Sequence, residues 1–124
     1  MSLVLIVEDN EKNMKLVRDV LQAKGYATLE AVTGEEGLRL AMEKKPDLVL
    51  MDIQLPGISG IEVFRRLRGD PRTANIPVIA LTASVTPTDR SQISEAGFDA
   101  FLAKPIVLRE FLDTVKRLLE GARA

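Results

Sequence analysis

The amino-acid sequence predicts an α/β fold in which one parallel five-stranded sheet is covered by helices on both faces. Short apolar runs alternate with longer stretches of helical spacing along the whole chain. The first run, residues 3–7, is continuously apolar and rich in branched residues, which is typical of a strand buried on both sides. Regular alternation of strands and helices predicts a doubly wound sheet.

The first half of the chain begins with strands at 3–7 and 26–31. The helix between these strands ends at Gly25, a residue that commonly terminates helices. The second helix opens at a capping box formed by Thr33 and Glu36. The apolar faces of these two helices carry Met14, Val17 and Leu21 in the first and Leu38, Ala41 and Met42 in the second.

The second half contains three more predicted strands, at 48–51, 78–81 and 100–102. The strand at 48–51 leads directly into Asp52, and Pro56–Gly57 then interrupts the chain before the third helix. The apolar face of the third helix carries Ile61, Phe64 and Leu67, and that of the fifth carries Leu108, Phe111, Leu112, Val115 and Leu119.

The fourth helix is predicted to begin at Thr86 and Pro87, as a capping residue followed by the first helical position. Between Thr88 and Ala96 its one large apolar residue is Ile93. A helix with so little apolar surface is anchored weakly to the core.

Length and composition indicate a single globular domain at 1–124. With 17 basic and 18 acidic residues the net charge is −1, which gives no support to direct nucleic-acid binding. The longest apolar run, 3–7, is too short to span a bilayer, so we expect a cytoplasmic protein with no membrane contact. The chain has no cysteine and no histidine, so chemistry must use carboxylates, hydroxyls, lysine and backbone groups.

Polar residues stand at the carboxyl ends of four predicted strands. They are Glu8, Asp9, Asp52, Thr82 and Lys104. In an open α/β sheet the carboxyl ends of the strands form the ligand-binding edge, so these side chains are expected to converge. Singly, each has an ordinary explanation as a turn residue, a strand-end hydroxyl or a solvated amine. Together they predict one site.

Clustered carboxylates favour a hard divalent cation, here Mg²⁺, for which Mn²⁺ can substitute. Asp9 and Asp52 are the predicted direct ligands, with the backbone carbonyl of Gln54, while Glu8 acts through water. Asp52 is also placed to act as a nucleophile that forms an acyl phosphate.

The phosphoryl oxygens need partners as well as the metal. The ammonium of Lys104, the hydroxyl of Thr82 and the backbone N–H of Ala83 are the predicted groups.

Four segments carry a family resemblance: VLIVEDN (4–10), PDLVLMDIQLPGISG (46–60), PVIALTA (77–83) and AFLAKP (100–105). They resemble the defining motifs of response-regulator receiver domains, and the resemblance spans essentially the whole chain. It implies the flavodoxin-like (βα)₅ fold. It also implies transfer of a phosphoryl group to Asp52 from a sensor histidine kinase or a histidine phosphotransfer protein, with later loss by hydrolysis.

The resemblance also implies a conformational switch. Thr82 would move toward the phosphate, and Phe101 would turn inward to fill the vacated space; this phenylalanine lacks the phenolic hydroxyl found in many relatives. The bond between Lys104 and Pro105 is expected to be cis. The face from the fourth helix to the fifth, residues 86–119, is the expected output surface toward a downstream protein target. The loop 105–107 and the first helix form the expected kinase contact.

Three other functions fit parts of the pattern. A flavin carrier needs small hydroxylated residues after the first strand, where Glu8 and Asp9 would repel phosphate. A phosphatase of the haloacid dehalogenase type needs a second acid two residues after the nucleophile, where this chain has Gln54. A pure interaction module would not need all five site residues.

Because the fold uses the full length, the sequence predicts a free-standing regulator similar to cell-cycle and polarity regulators. The alternative is a receiver fragment of a larger hybrid kinase or transcription regulator. Either a monomer or a phosphorylation-dependent dimer is expected.

Overall fold

The computed structural model describes residues 2–83 and 87–123 and contains one sheet flanked by helices. The strands are β1 (Leu3–Val7), β2 (Ala27–Ala31), β3 (Leu48–Asp52), β4 (Val78–Thr82) and β5 (Ala100–Ala103). The helices are α1 (Glu11–Ala23), α2 (Gly34–Lys44), α3 (Gly60–Arg68), α4 (Pro87–Ala96) and α5 (Leu108–Arg123). The predicted α/β class and element order are confirmed, and Thr86, the predicted cap of α4, lies outside the described residues.

All strand pairs are parallel, and the spatial order is β2-β1-β3-β4-β5. The direction of winding therefore reverses between β1 and β3, and a crevice opens above the carboxyl ends of these two strands. In the register Val7 lies beside Met51, and Asp52 lies beside Leu81. The residues that follow β1 and end β3 are thus neighbours at the switch point.

The two faces of the sheet are covered by different helices. Val4 and Ile6 of β1 belong to a buried cluster with residues of α1 and α5, whereas Leu5 and Val7 belong to a second cluster with residues of α2 and α3. This follows from the alternation of side chains along a strand. Burial of each such side chain contributes roughly 1.5–3 kcal/mol, so both faces stabilise the sheet.

Three helices begin with a side-chain cap close to the carboxyl edge of the sheet. Asn10, Thr33 and Ser59 each accept a hydrogen bond from the backbone N–H three residues later, at 3.1, 3.1 and 3.2 Å. Such caps stabilise a helix by about 1 kcal/mol. They fix the starts of α1, α2 and α3 next to the crevice.

Some side chains differ from their predicted positions. Ile61 is half-buried while Val63 is fully buried, because the core-facing side of α3 is rotated toward Val63. Leu108 is 42% exposed because it is the first residue of α5, ahead of the turns that pack on the core. Ile93, the one large apolar residue that the sequence offers between Thr88 and Ala96, is buried.

None of the helices in the described part of the chain is both long enough and apolar enough to cross a membrane.

Candidate functional site

Acidic residues from two neighbouring strands meet at the switch point. Asp52 is the last residue of β3, and Glu8 and Asp9 follow β1. One carboxylate oxygen from each of the three lies within 4.8 Å of the others. Glu8 and Asp52 are almost fully buried, with 1% and 2% exposure, whereas Asp9 is exposed. Successive residues of an extended chain point in opposite directions, which explains the contrast between Glu8 and Asp9.

The ammonium of Lys104 lies between the two buried carboxylates. Its Nζ atom is 2.8 Å from Oε1 of Glu8 and 3.1 Å from Oδ2 of Asp52. The backbone N–H of Lys104 donates to the carbonyl of Thr82 at 2.8 Å, which continues the pairing of β5 with β4 up to this residue. The peptide bond between Lys104 and Pro105 is cis.

The carboxylate of Asp52 is fixed at both oxygens. Oδ1 accepts the backbone N–H of Gln54 at 3.0 Å, and Oδ2 faces Lys104. Gly60, at the start of α3, lies so close that a Cβ atom there would overlap the carbonyl oxygen of Asp52 and come within 2.9 Å of Cα of Ile53. A residue without a side chain is therefore required for α3 to begin beside the site.

The buried charges shift two pKa values. Burial raises the pKa of Glu8, and the hydrogen bond and like charge of Asp52 raise it further, against the opposing effect of Lys104. For Lys104, burial alone would lower the pKa, but the attraction of the Glu8 and Asp52 carboxylates outweighs this effect and the pKa is raised. The ammonium of Lys104 therefore stays protonated beside the two buried carboxyl groups.

The remaining predicted residues lie on β4, on β5 and in the loops that follow β3 and β4. Thr82 ends β4 and is 1% exposed, one residue beyond the strand partner of Asp52. Ala83 is exposed beside it. Phe101, on β5, is half-buried and lines a cavity with Ile93 and Ser94 of α4. Gln54 is exposed, and its N–H reaches Asp52.

Two residues at the site were not identified from the sequence. Gly60 ends the family-like segment 46–60, but the sequence predicts no role for it, because its proximity to Asp52 depends on the tertiary fold. Glu35 of α2 accepts the backbone N–H of Ile58 in the loop after β3, at 3.1 Å. Twenty-three residues separate the two, and no local pattern indicates the contact.

The donor set fits a hard divalent cation. Oxygen ligands from carboxylates are those that Mg²⁺ prefers. Within the described ranges, Oε1 of Glu8 is buried and accepts no hydrogen bond, although it forms an ion pair with the ammonium of Lys104 at 2.8 Å. Three carboxylates against one ammonium leave negative charge that a cation would neutralise.

The 2-1-3-4-5 sheet with an acidic cluster at its switch point defines a CheY-like α/β protein. A CheY-like receiver domain protein from Methanospirillum hungatei superimposes with a TM-score of 0.92 at 26% identity, over 99% of this chain and 97% of that one. The chain belongs to the response regulator receiver domain family, whose sequence model matches residues 4–116. It is thus a receiver domain of the kind used in two-component signalling.

Individual relatives cover nearly the whole chain. The polar-differentiation response regulator DivK of Brucella anthropi is 49% identical over 119 residues, which are 96% of this chain and 97% of that protein. The receiver domain of a signal transduction histidine kinase from Syntrophus aciditrophicus has a TM-score of 0.92 at 35% identity, over 98% of this chain and 92% of that one. The receiver domain of a Pseudomonas aeruginosa sensor histidine kinase, solved with a magnesium ion in its active site cleft, has a TM-score of 0.90 at 31% identity, covering 96% and 98%.

Proposed function

We propose that Asp52 is the phosphoacceptor of this receiver domain and that its donor is a sensor histidine kinase or a histidine phosphotransfer protein. The observation that carries the proposal is the position of the Asp52 carboxylate. It lies among Glu8, Asp9 and Lys104 at the topological switch point, held through both oxygens. Such a carboxylate is oriented before any donor arrives, which lowers the entropic cost of reaction.

The proposed step is a phosphoryl transfer between two side chains. An oxygen of Asp52 forms a bond to phosphorus as the bond from phosphorus to the donor imidazole nitrogen breaks, and the imidazole leaves. The acyl phosphate is lost when water attacks phosphorus, which restores the carboxylate and releases inorganic phosphate. The chain catalyses both steps on itself and is not a classical enzyme with a turnover substrate.

Mg²⁺ is the proposed cofactor, with Mn²⁺ as a substitute. Asp9, Asp52 and the backbone carbonyl of Gln54 would hold it directly, and Glu8 would act through water. When bound, the ion would neutralise charge on the phosphoryl oxygens and on the carboxylates.

Protein groups would stabilise the remaining charge of the transferred group. The ammonium of Lys104 already lies beside the Asp52 carboxylate, and it would form an ion pair with one oxygen of the phosphoryl group. The hydroxyl of Thr82 and the backbone N–H of Ala83 are proposed for the other oxygens. The position of Thr82 at the end of β4, beside the end of β3, supports this role.

The switch would be transmitted by Thr82 and Phe101 to the face formed by α4, β5 and α5. Phe101 is half-buried and lines a cavity with Ile93 and Ser94, which places its ring between β5 and α4 on this face. In the described part of α4, Ile93 is the buried apolar anchor, which fits an element of low local stability. This face is the proposed binding surface for a downstream protein target.

The kinase contact is proposed at the loop 105–107 together with α1. Among the described residues, the large apolar side chains that are exposed are Leu16, Val32, Val107 and Leu108. Val107 and Leu108 follow the site lysine, and Leu16 lies on α1. Ile106 packs partly into the core cluster beneath α1, so the loop has a fixed base. Exposed apolar residues beside a charged site are typical of a protein-docking surface.

The test is incubation with acetyl phosphate and Mg²⁺, followed by mass analysis of intact protein. Wild type is expected to gain the mass of one phosphoryl group and Asp52→Asn to gain none. Asp113→Asn, a change at an exposed aspartate of α5, serves as the control and is expected to behave as wild type. Wild type that stays unmodified with every donor tried, or Asp52→Asn that is modified equally, would refute the proposal.

We also propose that the domain acts in the cytoplasm, as a monomer or a phosphorylation-dependent dimer, in one of two settings. The 49% identity to a polar-differentiation regulator along nearly its whole length supports a regulator of that type. The similarity to receiver domains of two histidine kinases, at 35% and 31% identity, supports a receiver within a larger hybrid kinase. A receiver within a transcription regulator is the other form of this second setting. Mass analysis of the native protein separates these settings.

A further inference from the structure

The loop between β3 and α3, residues 53–59, connects the end of the Asp52 strand to the next helix. Its ends are fixed by backbone hydrogen bonds. The N–H of Ile53 donates to the carbonyl of Leu81 at 2.9 Å, and the N–H of Gly60 donates to the carbonyl of Ile53 at 3.1 Å. The loop also contains Gln54, whose N–H reaches Asp52. The conformation of this loop therefore places two groups of Gln54. They are the N–H that contacts Asp52, the proposed phosphoacceptor, and the backbone carbonyl that is proposed to bind the metal.

The middle of the loop is held from another element. Oε1 of Glu35, in the first turn of α2, accepts the N–H of Ile58 at 3.1 Å. Among the described residues, this is the one hydrogen bond that residues 55–58 receive from outside the loop. Pro56 has no N–H to offer, and Gly57 has a φ of +77° that favours glycine. A Cβ atom at Gly57 would lie 3.0 Å from Oε1 of Glu35, so the loop passes close over this carboxylate.

Helix α2, which carries Glu35, is held firmly in place. The cap at Thr33 fixes the start of α2, and Ala41 anchors the helix in the buried cluster beneath β1 and β3. Ile58 packs against the same cluster from the loop side. The carboxylate of Glu35 thus joins a rigid helix to a loop whose centre has few other polar contacts.

We propose that Glu35 is a positioning residue for phosphoryl transfer, and that it keeps the loop in the conformation in which Gln54 serves the metal and Asp52. This inference rests on the proposed function. Glu35 acts through Ile58 and the loop and does not touch the reacting atoms. By thermodynamic linkage, a bond that favours the binding-competent loop must increase affinity for Mg²⁺.

A purely structural role for Glu35 predicts a different result. Acidic residues in the first turn stabilise a helix through its dipole, and Glu36 occupies the same turn with the same charge. Glu36 makes no side-chain hydrogen bond or ion pair with any of the described residues, so Glu36→Ala is a matched control for charge and helix position. Glu35→Gln keeps an oxygen acceptor for Ile58 and tests whether the hydrogen bond, not the charge, is responsible.

The experiment compares wild type, Glu35→Ala, Glu35→Gln and Glu36→Ala. Calorimetric titration with magnesium chloride gives the Mg²⁺ affinity without any phosphoryl chemistry, and denaturant unfolding gives stability. Glu35→Ala is expected to weaken Mg²⁺ binding about fivefold, as for the loss of one exposed hydrogen bond. Its stability is expected to match that of Glu36→Ala. Glu35→Gln is expected to recover most of the affinity.

A second measurement uses acetyl phosphate at Mg²⁺ concentrations below and above saturation. Phosphorylation of Glu35→Ala is expected to be slower than that of wild type below Mg²⁺ saturation, and to approach the wild-type rate above saturation. The inference is overturned if Glu35→Ala and Glu36→Ala bind Mg²⁺ equally, or if Glu35→Gln is as weak as Glu35→Ala. Failure of wild type to be phosphorylated would instead overturn the proposed function, while the Mg²⁺ titration would still report on Glu35.

Discussion

Nζ of Lys104 lies 3.1 Å from Oδ2 of Asp52, although 52 residues separate them in the chain. The same ammonium is 2.8 Å from Oε1 of Glu8 and its side chain is 16% exposed. One lysine therefore balances two buried carboxylates that would otherwise repel each other. Removal of either partner of such a buried pair lowers the free energy of unfolding far more than removal of a surface ion pair does.

Replacement of this lysine by an uncharged side chain of similar length should destabilise the fold when no metal is present. We expect Lys104→Met to lower the free energy of unfolding by roughly 3 kcal/mol, since two buried carboxylates lose their cation. Added Mg²⁺ should recover part of the loss because it supplies positive charge to the same cluster. Denaturant unfolding with and without Mg²⁺ measures both effects. Equal losses in the two conditions would contradict a shared role of lysine and metal.

Metal binding should stabilise the native state. At a Mg²⁺ concentration roughly one hundred times the dissociation constant, the gain should be about 2.7 kcal/mol. Asp9→Asn removes a proposed ligand whose side chain is exposed, so we expect the fold to persist. The substitution should raise the dissociation constant for Mg²⁺ on the order of tenfold or more. Thermal unfolding across a Mg²⁺ series is the measurement, and Asp113→Asn is the control. Identical Mg²⁺ responses in Asp9→Asn and wild type would exclude Asp9 as a ligand.

A methyl group at Gly60 should disturb the site as well as the fold. In Gly60→Ala the new Cβ would overlap the carbonyl oxygen of Asp52, so α3 or the end of β3 must shift. We expect a loss of about 1–3 kcal/mol in unfolding free energy and slower phosphorylation. Gly69→Ala is the matched control, because its nearest backbone contact would be an ordinary 3.5 Å. If Gly60→Ala is as stable as Gly69→Ala, the close approach of Gly60 to the carbonyl of Asp52 is not required.

Phosphorylation should change the dynamics of α4 and β5 more than those of α1 and α2. Hydrogen exchange of wild type with and without a beryllofluoride phosphate mimic is the measurement. We expect altered protection in residues 87–103, since α4 has little apolar anchoring and Phe101 borders its cavity. The same comparison in Asp52→Asn should show no change. Unaltered protection of this segment in wild type would count against an output surface at α4, β5 and α5.

The sequence by itself determined the fold and the edge at which the polar residues meet. Continuous apolar runs alternating with amphipathic stretches leave few arrangements other than a doubly wound parallel sheet. In such a sheet every strand ends at the same edge, so Glu8, Asp52 and Lys104 could be placed together from their positions alone. The structure brings these three into contact, and their roles in phosphoryl transfer stay predictions for the experiments above.

The tertiary structure alone decided which of these groups are buried and what supports them. Alternation along the chain sends the side chains of Glu8 and Asp9 in opposite directions, but only the packing around the strand end decided that Glu8 is the buried one. The contact of Glu35 with Ile58 and the closeness of Gly60 to Asp52 arise where separate elements meet. Sequence periodicity reports the buried face of one element at a time, and distances between elements are set only when their side chains pack together.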